Sequence, residues 1–272
     1  MTNVLAVDYG LDVALMESAV RAVLTNGYVV LRQAIPEKTI AHWHSIFETG
    51  ILPAAEEGRY PFRQCSLGPG RHHYTVPISG GFAAPEFYAN ELIYRMANHL
   101  LEPGFILATA AIAYSVPGAP RQYIHRDQPM PTRITALNAV LPPFSLTVDI
   151  PLVITDASVG GTVMVAGSHH SVSQAKTVHD NGVRVDTVPG DVVIWDSRLQ
   201  HYGEANRSKI NRPIVLLYYQ RPWFFNFPNY EPGSQIQISA AQLLQVPERY
   251  QHLFQWSKNL FGSTSIDDFS LL

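Results

Sequence analysis

The sequence predicts a mainly β fold, a jelly-roll-like double sheet with helices packed outside it. Segments of helical period occupy the chain up to Leu101, and short segments of strand period, divided by Gly and Pro turns, run from Phe105 to Gln220. The 272 residues suit one large all-β or α/β domain or two small ones, and no repeat, low-complexity run or Ser/Gly-rich linker splits them. One domain over 1–272 is therefore expected: a helical part over about 10–101, a core over about 102–222 and a C-terminal segment over 223–272. At 46% hydrophobic and 15% charged, the chain can fill a core and cannot belong to the disordered class.

The first helix shows in Met16, Val20, Val23 and Leu24, which share one face, and Gly27 stands where a C-cap belongs. Tyr28–Leu31 then reads as a strand. A second helix opens at Pro36 and carries Ile40, Trp43 and Phe47 along one stripe, with His42 and His44 at its surface or the edge of the core. From Ile51 to Gly81 the text is irregular and is expected to be a long functional loop that lines a pocket or acts as a lid, with Arg63 and Arg71 as candidate anion contacts, each taken alone being read as solvated. Pro85–Leu101 reads as one helix. Phe105–Tyr114 is an apolar strand. Leu146, Val148, Ile150 and Leu152 alternate with Thr147, Asp149, Pro151 and Val153, the mark of a half-buried strand. Gly160-Gly161 precedes the strand Thr162–Val165. Pro189-Gly190-Asp191 is a turn before Val192–Trp195, and Ile214–Gln220 is the last clear strand.

Net charge of −3 argues against nucleic acid or a polybasic membrane contact, since both need a positive field. Cys65 stands alone, which excludes an intrachain disulfide and multi-Cys zinc sites, and a reducing cytoplasm is the expected compartment. No signal-peptide layout opens the chain, and its longest apolar stretch is too short to cross a bilayer.

The chemistry concentrates in His125-Arg126-Asp127. On a strand, residues i and i+2 project to the same face, so the imidazole and the carboxylate can reach one metal ion. His201, 74 residues beyond Asp127, is the candidate third ligand. A hairpin centred between Asn206 and Arg207 would bring Arg212 opposite His201, setting a guanidinium fork beside the metal for a cosubstrate carboxylate. Two His and one carboxylate leave three metal positions open, the facial triad of non-heme Fe(II) oxygenases.

Gln122-x-x-His125-Arg126-Asp127-Gln128 and Trp195-Asp196-Ser197-Arg198-Leu199-x-His201-x-Gly203-x-x-Asn206, followed by Arg212, resemble the phytanoyl-CoA dioxygenase family. The resemblance is to its fungal and bacterial specialised-metabolism branch and covers about residues 15–222. It implies a double-stranded β-helix (jelly-roll, cupin-like) core. His125, Asp127 and His201 would hold Fe(II), and Arg212 would bind the distal carboxylate of 2-oxoglutarate. Gln122 and Thr162 would make further cosubstrate contacts. Dioxygen would be consumed in oxidising an unactivated C–H bond of a bulky apolar metabolite such as a terpenoid, meroterpenoid or alkaloid. A retained Asp127 argues against halogenation. The same branch implies a homodimer whose C-terminal segment, rich in Trp223, Phe224, Phe225, Phe227 and Tyr230, covers the pocket or the dimer interface. Two alternatives stay open, a redox-neutral isomerase on the same site and a non-catalytic partner subunit. His169-His170 and His72-His73 stay outside the metal set, the first pair because strand neighbours point to opposite faces.

Overall fold

The computed structural model describes residues 13–172, 182–225 and 235–257, together with the backbone of 4–6. Two antiparallel sheets face each other behind a layer of helices. The larger runs β1-β2-β9-β6-β11-β5-β4-β3, and the smaller runs β10-β7-β8. Their strands are β1 (Val4–Ala6), β2 (Tyr28–Arg32), β3 (Gln64–Ser66), β4 (Arg71–Thr75), β5 (Ile106–Ser115), β6 (Ser145–Pro151), β7 (Thr162–Met164), β8 (Val183–Val185), β9 (Val192–Asp196), β10 (His201–Gly203) and β11 (Arg212–Gln220). Only β1 and β2 pair in parallel among these.

Period-two patterning places the two faces of the larger sheet in different surroundings. Val29, Leu31, Val148, Ile150, Ile194, Val215 and Leu217 join the core beneath the helices. The opposite phase, with Tyr28, Val30, Val193 and Trp195, packs on Met164, Val185 and Leu199 between the sheets. All seven residues of β6 are buried. It is thus a fully buried central strand and not the half-buried one its alternation predicts, because its polar phase, Thr147 and Asp149, faces the space between the sheets.

Helix α1 (Val13–Asn26) buries Met16, Ala19 and Val23, whereas Leu24 is exposed. Gly27 ends it at φ +90°, where a Cβ would lie 2.4 Å from Leu199 and 2.7 Å from His169. Helix α2 (Glu37–Ile46) follows Pro36 and buries Ile40 and Trp43. His42 is exposed and His44 half-buried.

The stretch expected as a loop from Ile51 to Gly81 instead holds α3 (Leu52–Glu56) and the β3–β4 hairpin, which adds two strands to one edge of the larger sheet. The expected helix Pro85–Leu101 is broken into α4 (Pro85–Tyr88) and α5 (Glu91–Leu101). The break falls at Asn90, whose side chain accepts from Leu92 N at 3.1 Å and from Ile93 N at 3.4 Å and so caps α5.

The predicted hairpin joining His201 to Arg212 does not form. β10 pairs with β7 in the smaller sheet, while β11 lies between β5 and β6 in the larger one. Beyond β11, Ile236, Ile238, Tyr250, Leu253 and Phe254 join the core beneath the helices. Phe227 and Tyr230 lie outside the described residues. No described helix is long and apolar enough to cross a membrane.

Candidate metal centre and cosubstrate pocket

His125 and His201 meet through their backbones: each N–H donates to the other's carbonyl, at 3.0 and 2.9 Å. This isolated bridge, rather than a regular strand, sets the spacing of His125 and Asp127. His125 Nδ1 contacts Tyr123 O at 2.9 Å and His201 Nδ1 contacts Leu199 O at 3.0 Å. A carbonyl only accepts, so Nδ1 carries a proton in both rings, and Nε2 is the nitrogen whose lone pair a metal would take, at His201 after release of the proton shared with Asp127. On Asp127, Oδ2 accepts from Thr147 Oγ1 at 2.7 Å and Trp195 Nε1 at 2.9 Å, while Oδ1 stands 3.5 Å from His201 Nε2. Every supporting hydrogen bond therefore falls on an atom pointing away from the centre. The three donor atoms lie within 4.8 Å of one another, and this donor set fits a divalent ion with open positions.

Burial alone would raise the pKa of Asp127, but the charges of His201 and His125, with hydrogen bonds from His201 and Thr147, hold it down at about 2. For His201 burial pulls downward, and the Asp127 carboxylate outweighs it and raises the pKa. His125 is lowered, by burial first and then by the charge of His201. The turn before His201 is fixed by a buried ion pair, Arg198 to Asp196 at 2.6 Å, with Arg198 also donating to Asn138 O and Leu141 O.

A second cluster converges on Gly203. Gln122 Oε1 accepts from Gly203 N at 2.9 Å, and Thr162 stands opposite Gly203 across the β7–β10 pair. A Cβ on Gly203 would lie 2.7 Å from Gln122 Oε1, 3.0 Å from Arg71 Nη1 and 3.2 Å from Arg212 Nη2. Two buried guanidiniums thus meet where only a glycine leaves room. Arg212 donates Nη1 to Gly160 O, and its Nε has no partner. Arg71 donates to Pro120 O at 3.0 Å and Glu204 O at 2.6 Å. Burial lowers both pKa values to about 10. The neighbouring Arg212 pushes Arg71 further down against the pull of Glu204, and Asp149 opposes the fall at Arg212. Both remain cationic at neutral pH.

Both clusters open onto one cavity of about 410 Å³. Arg212, Ile214, Leu216 and Tyr218 line it from β11, and Cys65, Arg71 and His73 line it from the hairpin. Every predicted site residue, His125, Asp127, His201, Arg212, Gln122 and Thr162, is on its wall. Of the two expectations for Arg71, solvation is overturned: it is buried on the cavity wall, where an anion contact is open to it. Asp149 was missed altogether. It is buried on the cavity wall with Thr162 Oγ1 3.4 Å from its Oδ2. The signal for it was a carboxylate in the polar phase of a strand whose other phase is wholly aliphatic.

His169 and His170 stay out of the metal group. They sit on a short 3₁₀ turn, not a strand, so both Nε2 atoms reach the same carbonyl, Leu24 O, at 3.2 and 3.0 Å. None of the described residues beyond Tyr218 lines the cavity; Phe224 packs on Phe144 at 4.4 Å between ring centroids.

A family model described as phytanoyl-CoA dioxygenase matches residues 23–214. The iron/alpha-ketoglutarate-dependent dioxygenase ausU of Aspergillus calidoustus is 24% identical over 216 residues, covering 75% of this chain and 70% of its own length. A 2-aminoethylphosphonate dioxygenase from the uncultured bacterium HF130_AEPn_1 is 27% identical over 151 residues, 50% of this chain and 53% of its own. Among solved structures, the alpha-ketoglutarate-dependent epimerase SnoN from nogalamycin biosynthesis superposes with TM-score 0.61 at 18% identity, covering 82% of this chain and 89% of that one. HygX from Streptomyces hygroscopicus, with nickel and 2-oxoglutarate bound, gives 0.60 at 14% identity, covering 76% and 87%. At these identities the two structures establish the shared fold.

Proposed function

The chain belongs to the phytanoyl-CoA dioxygenase family and is an enzyme of the iron- and 2-oxoglutarate-dependent dioxygenase type, and from that premise we propose that it oxidises an unactivated C–H bond of a bulky specialised metabolite. The observation that carries this reading is the convergence, in one cavity, of a three-donor metal group and a paired-guanidinium pocket around Gly203.

On this reading His125, Asp127 and His201 hold Fe(II) through Nε2, Oδ1 and Nε2, and the bonds at Nδ1 and Oδ2 fix their aim. Iron bound there supplies dioxygen activation coupled to the oxidative decarboxylation of 2-oxoglutarate to succinate and carbon dioxide. Arg212 takes the distal carboxylate of the cosubstrate, Arg71 adds a second cation beside it, and Gln122 and Thr162 bound the same pocket. Ile214, Leu216 and Ala113 supply apolar wall that keeps water from the reacting carbon. His73 Nδ1, buried and without a partner, and the Tyr218 hydroxyl, held protonated by burial, offer hydrogen bonds to a polar group on an otherwise carbon-rich terpenoid, meroterpenoid or alkaloid.

The reading takes the whole chain as one oxygenase domain working in the cytoplasm. It includes a homodimer, for which the exposed aromatic rings of Trp223 and Phe225 provide apolar surface; sedimentation at native concentration checks it. Anaerobic addition of Fe(II) and 2-oxoglutarate tests the centre. A visible metal-to-ligand charge-transfer band is expected, lost in His201→Ala and kept in His170→Ala. Metal binding without the band would overturn the reading.

A further inference from the structure

Asp149 is a buried carboxylate with no cation in contact. It stands mid-strand in β6, 5% exposed, directly across from Val193 of β9 on one side and Leu216 of β11 on the other. Its one hydrogen bond comes from Thr162 Oγ1 at 3.4 Å, and it makes no ion pair and no hydrogen bond with the three metal-binding side chains. The charged and titratable groups around it are Arg212 and Tyr218 of β11, His201 of β10 and Asp127; β7 contributes only Thr162 and β9 only Val193. Tyr218 is neutral, and of the cationic charges that answer Asp149, Arg212 has the larger effect and His201 the smaller.

A dicarboxylate drawn to Arg212 enters a pocket that already holds this carboxyl group. Two carboxylates beside one guanidinium, on a stretch of wall where Asp149 and Arg212 are both buried, do not both stay ionised: one takes a proton and becomes a hydrogen-bond donor to the other. The cosubstrate's carboxylate has the better claim to the guanidinium, since its approach to Arg212 is free while Asp149 is anchored out of ion-pair reach on β6.

We propose that Asp149 is a further cosubstrate-binding residue that works as a neutral acid, donating a hydrogen bond to the carboxylate held by Arg212, so that binding draws one proton from solvent. The inference rests on the reading that Arg212 holds 2-oxoglutarate. Burial is already pushing the Asp149 pKa up to about 7, against the pull of Arg212, and the arriving negative charge pushes it higher. The proton is therefore already present in acid and must be taken up in base.

Calorimetric titration of the Mn(II)-loaded protein with 2-oxoglutarate, in two buffers of different ionisation enthalpy between about pH 6 and 8.5, reads this directly. Proton uptake by the native chain is expected to climb toward one per site above neutrality, with affinity falling toward tenfold per pH unit (~1.4 kcal/mol). Asp149→Asn carries an amide that donates without a proton, so its uptake should vanish and its affinity should stay flat, about tenfold tighter than native at pH 8. Arg212→Met separates the two layers. Native binding that is indifferent to this change, or no native binding at all, overturns the cosubstrate reading and the proposal with it. Binding that needs Arg212 but shows no proton uptake in the native chain overturns the proposal alone. So does an Asp149→Asn variant that keeps the native pH slope at uniformly weaker affinity.

Discussion

Thr147→Val is the sharpest test of how the metal centre is held. The side chain keeps its shape and its β-branch, so β6 keeps its packing, and only the hydroxyl is lost. That hydroxyl donates to Asp127 Oδ2 at 2.7 Å and is also 3.0 Å from Ser197 Oγ, which retains Ser145 Oγ at 3.0 Å. What disappears is therefore one of two hydrogen bonds to Oδ2 of an ionised carboxylate, a bond of about 1.5–3 kcal/mol. Trp195 Nε1, 2.9 Å from the same oxygen, remains, so Asp127 stays in place but is free to swing about a single anchor. Losing a partner of this kind weakens metal binding by about 10–100-fold. Mn(II) affinity, measured by competition with a chelating dye, should fall into that range for Thr147→Val and return close to native for Thr147→Ser. A Kd unchanged by the valine would mean that Thr147 does not orient the ligand.

Gly203→Ala places a methyl 2.7 Å from Gln122 Oε1 and close to both guanidiniums. All three contacts are the ends of long side chains, so the fold should survive while 2-oxoglutarate affinity drops about tenfold or more, ~1.4 kcal/mol by calorimetry. Arg198→Met leaves the Asp196 carboxylate buried without its partner and should cost about 3–5 kcal/mol in urea unfolding. A pH series of unfolding without metal isolates Asp149. Its pKa is raised from 3.8 to about 7 in the folded chain, so the stability it contributes is complete below about pH 4 and is lost as pH rises to about 7. Asp149→Asn should lack that loss and gain on the native chain across the same window, by about 4 kcal/mol at its end. Parallel curves would show that the carboxyl is ionised in the folded chain.

Local periodicity made most of the elements legible. α1, α2, β2, β5, β6, β9 and β11 fall within a few residues of their expected bounds because each buries one phase of its pattern in the same core. The β3–β4 hairpin was not legible. Its strands are short, and their residues, Arg71, His72 and His73 among them, carry no apolar alternation, since one face of the hairpin looks into the cavity. Sheet membership was not legible either. The short connection from Gly203 to Arg212 suggested a hairpin, yet β10 and β11 lie in opposite sheets. Asn206 holds the crossing by donating to Ser115 O and Ile210 O, bonds that no spacing rule encodes.

The site itself shows why a metal ligand is easier to read than its surroundings. His125, Asp127 and His201 form a combination of residue types at a spacing that serves one purpose, whereas Asp149 and Arg71 are single polar residues whose meaning depends on the medium they face. Period two tells which residues share a side of β6; it does not tell whether that side meets water, a second sheet or a cavity. Thr147 and Asp149 look like the solvent phase of an edge strand, but β6 is flanked by β9 and β11, and a central strand of a double sheet has no solvent phase. Once the strand order is known, the inference reverses. A polar residue in the second phase of a central strand has been buried at a cost, and it is worth asking what it binds. On β6 and β11 that phase holds Ser145, Thr147, Asp149, Arg212, Tyr218 and Gln220. Asp149, Arg212 and Tyr218 line the cavity, Thr147 hydrogen-bonds Asp127, which does, and Ser145 and Gln220 bond to Ser197 and Phe224 at the far end of the strands.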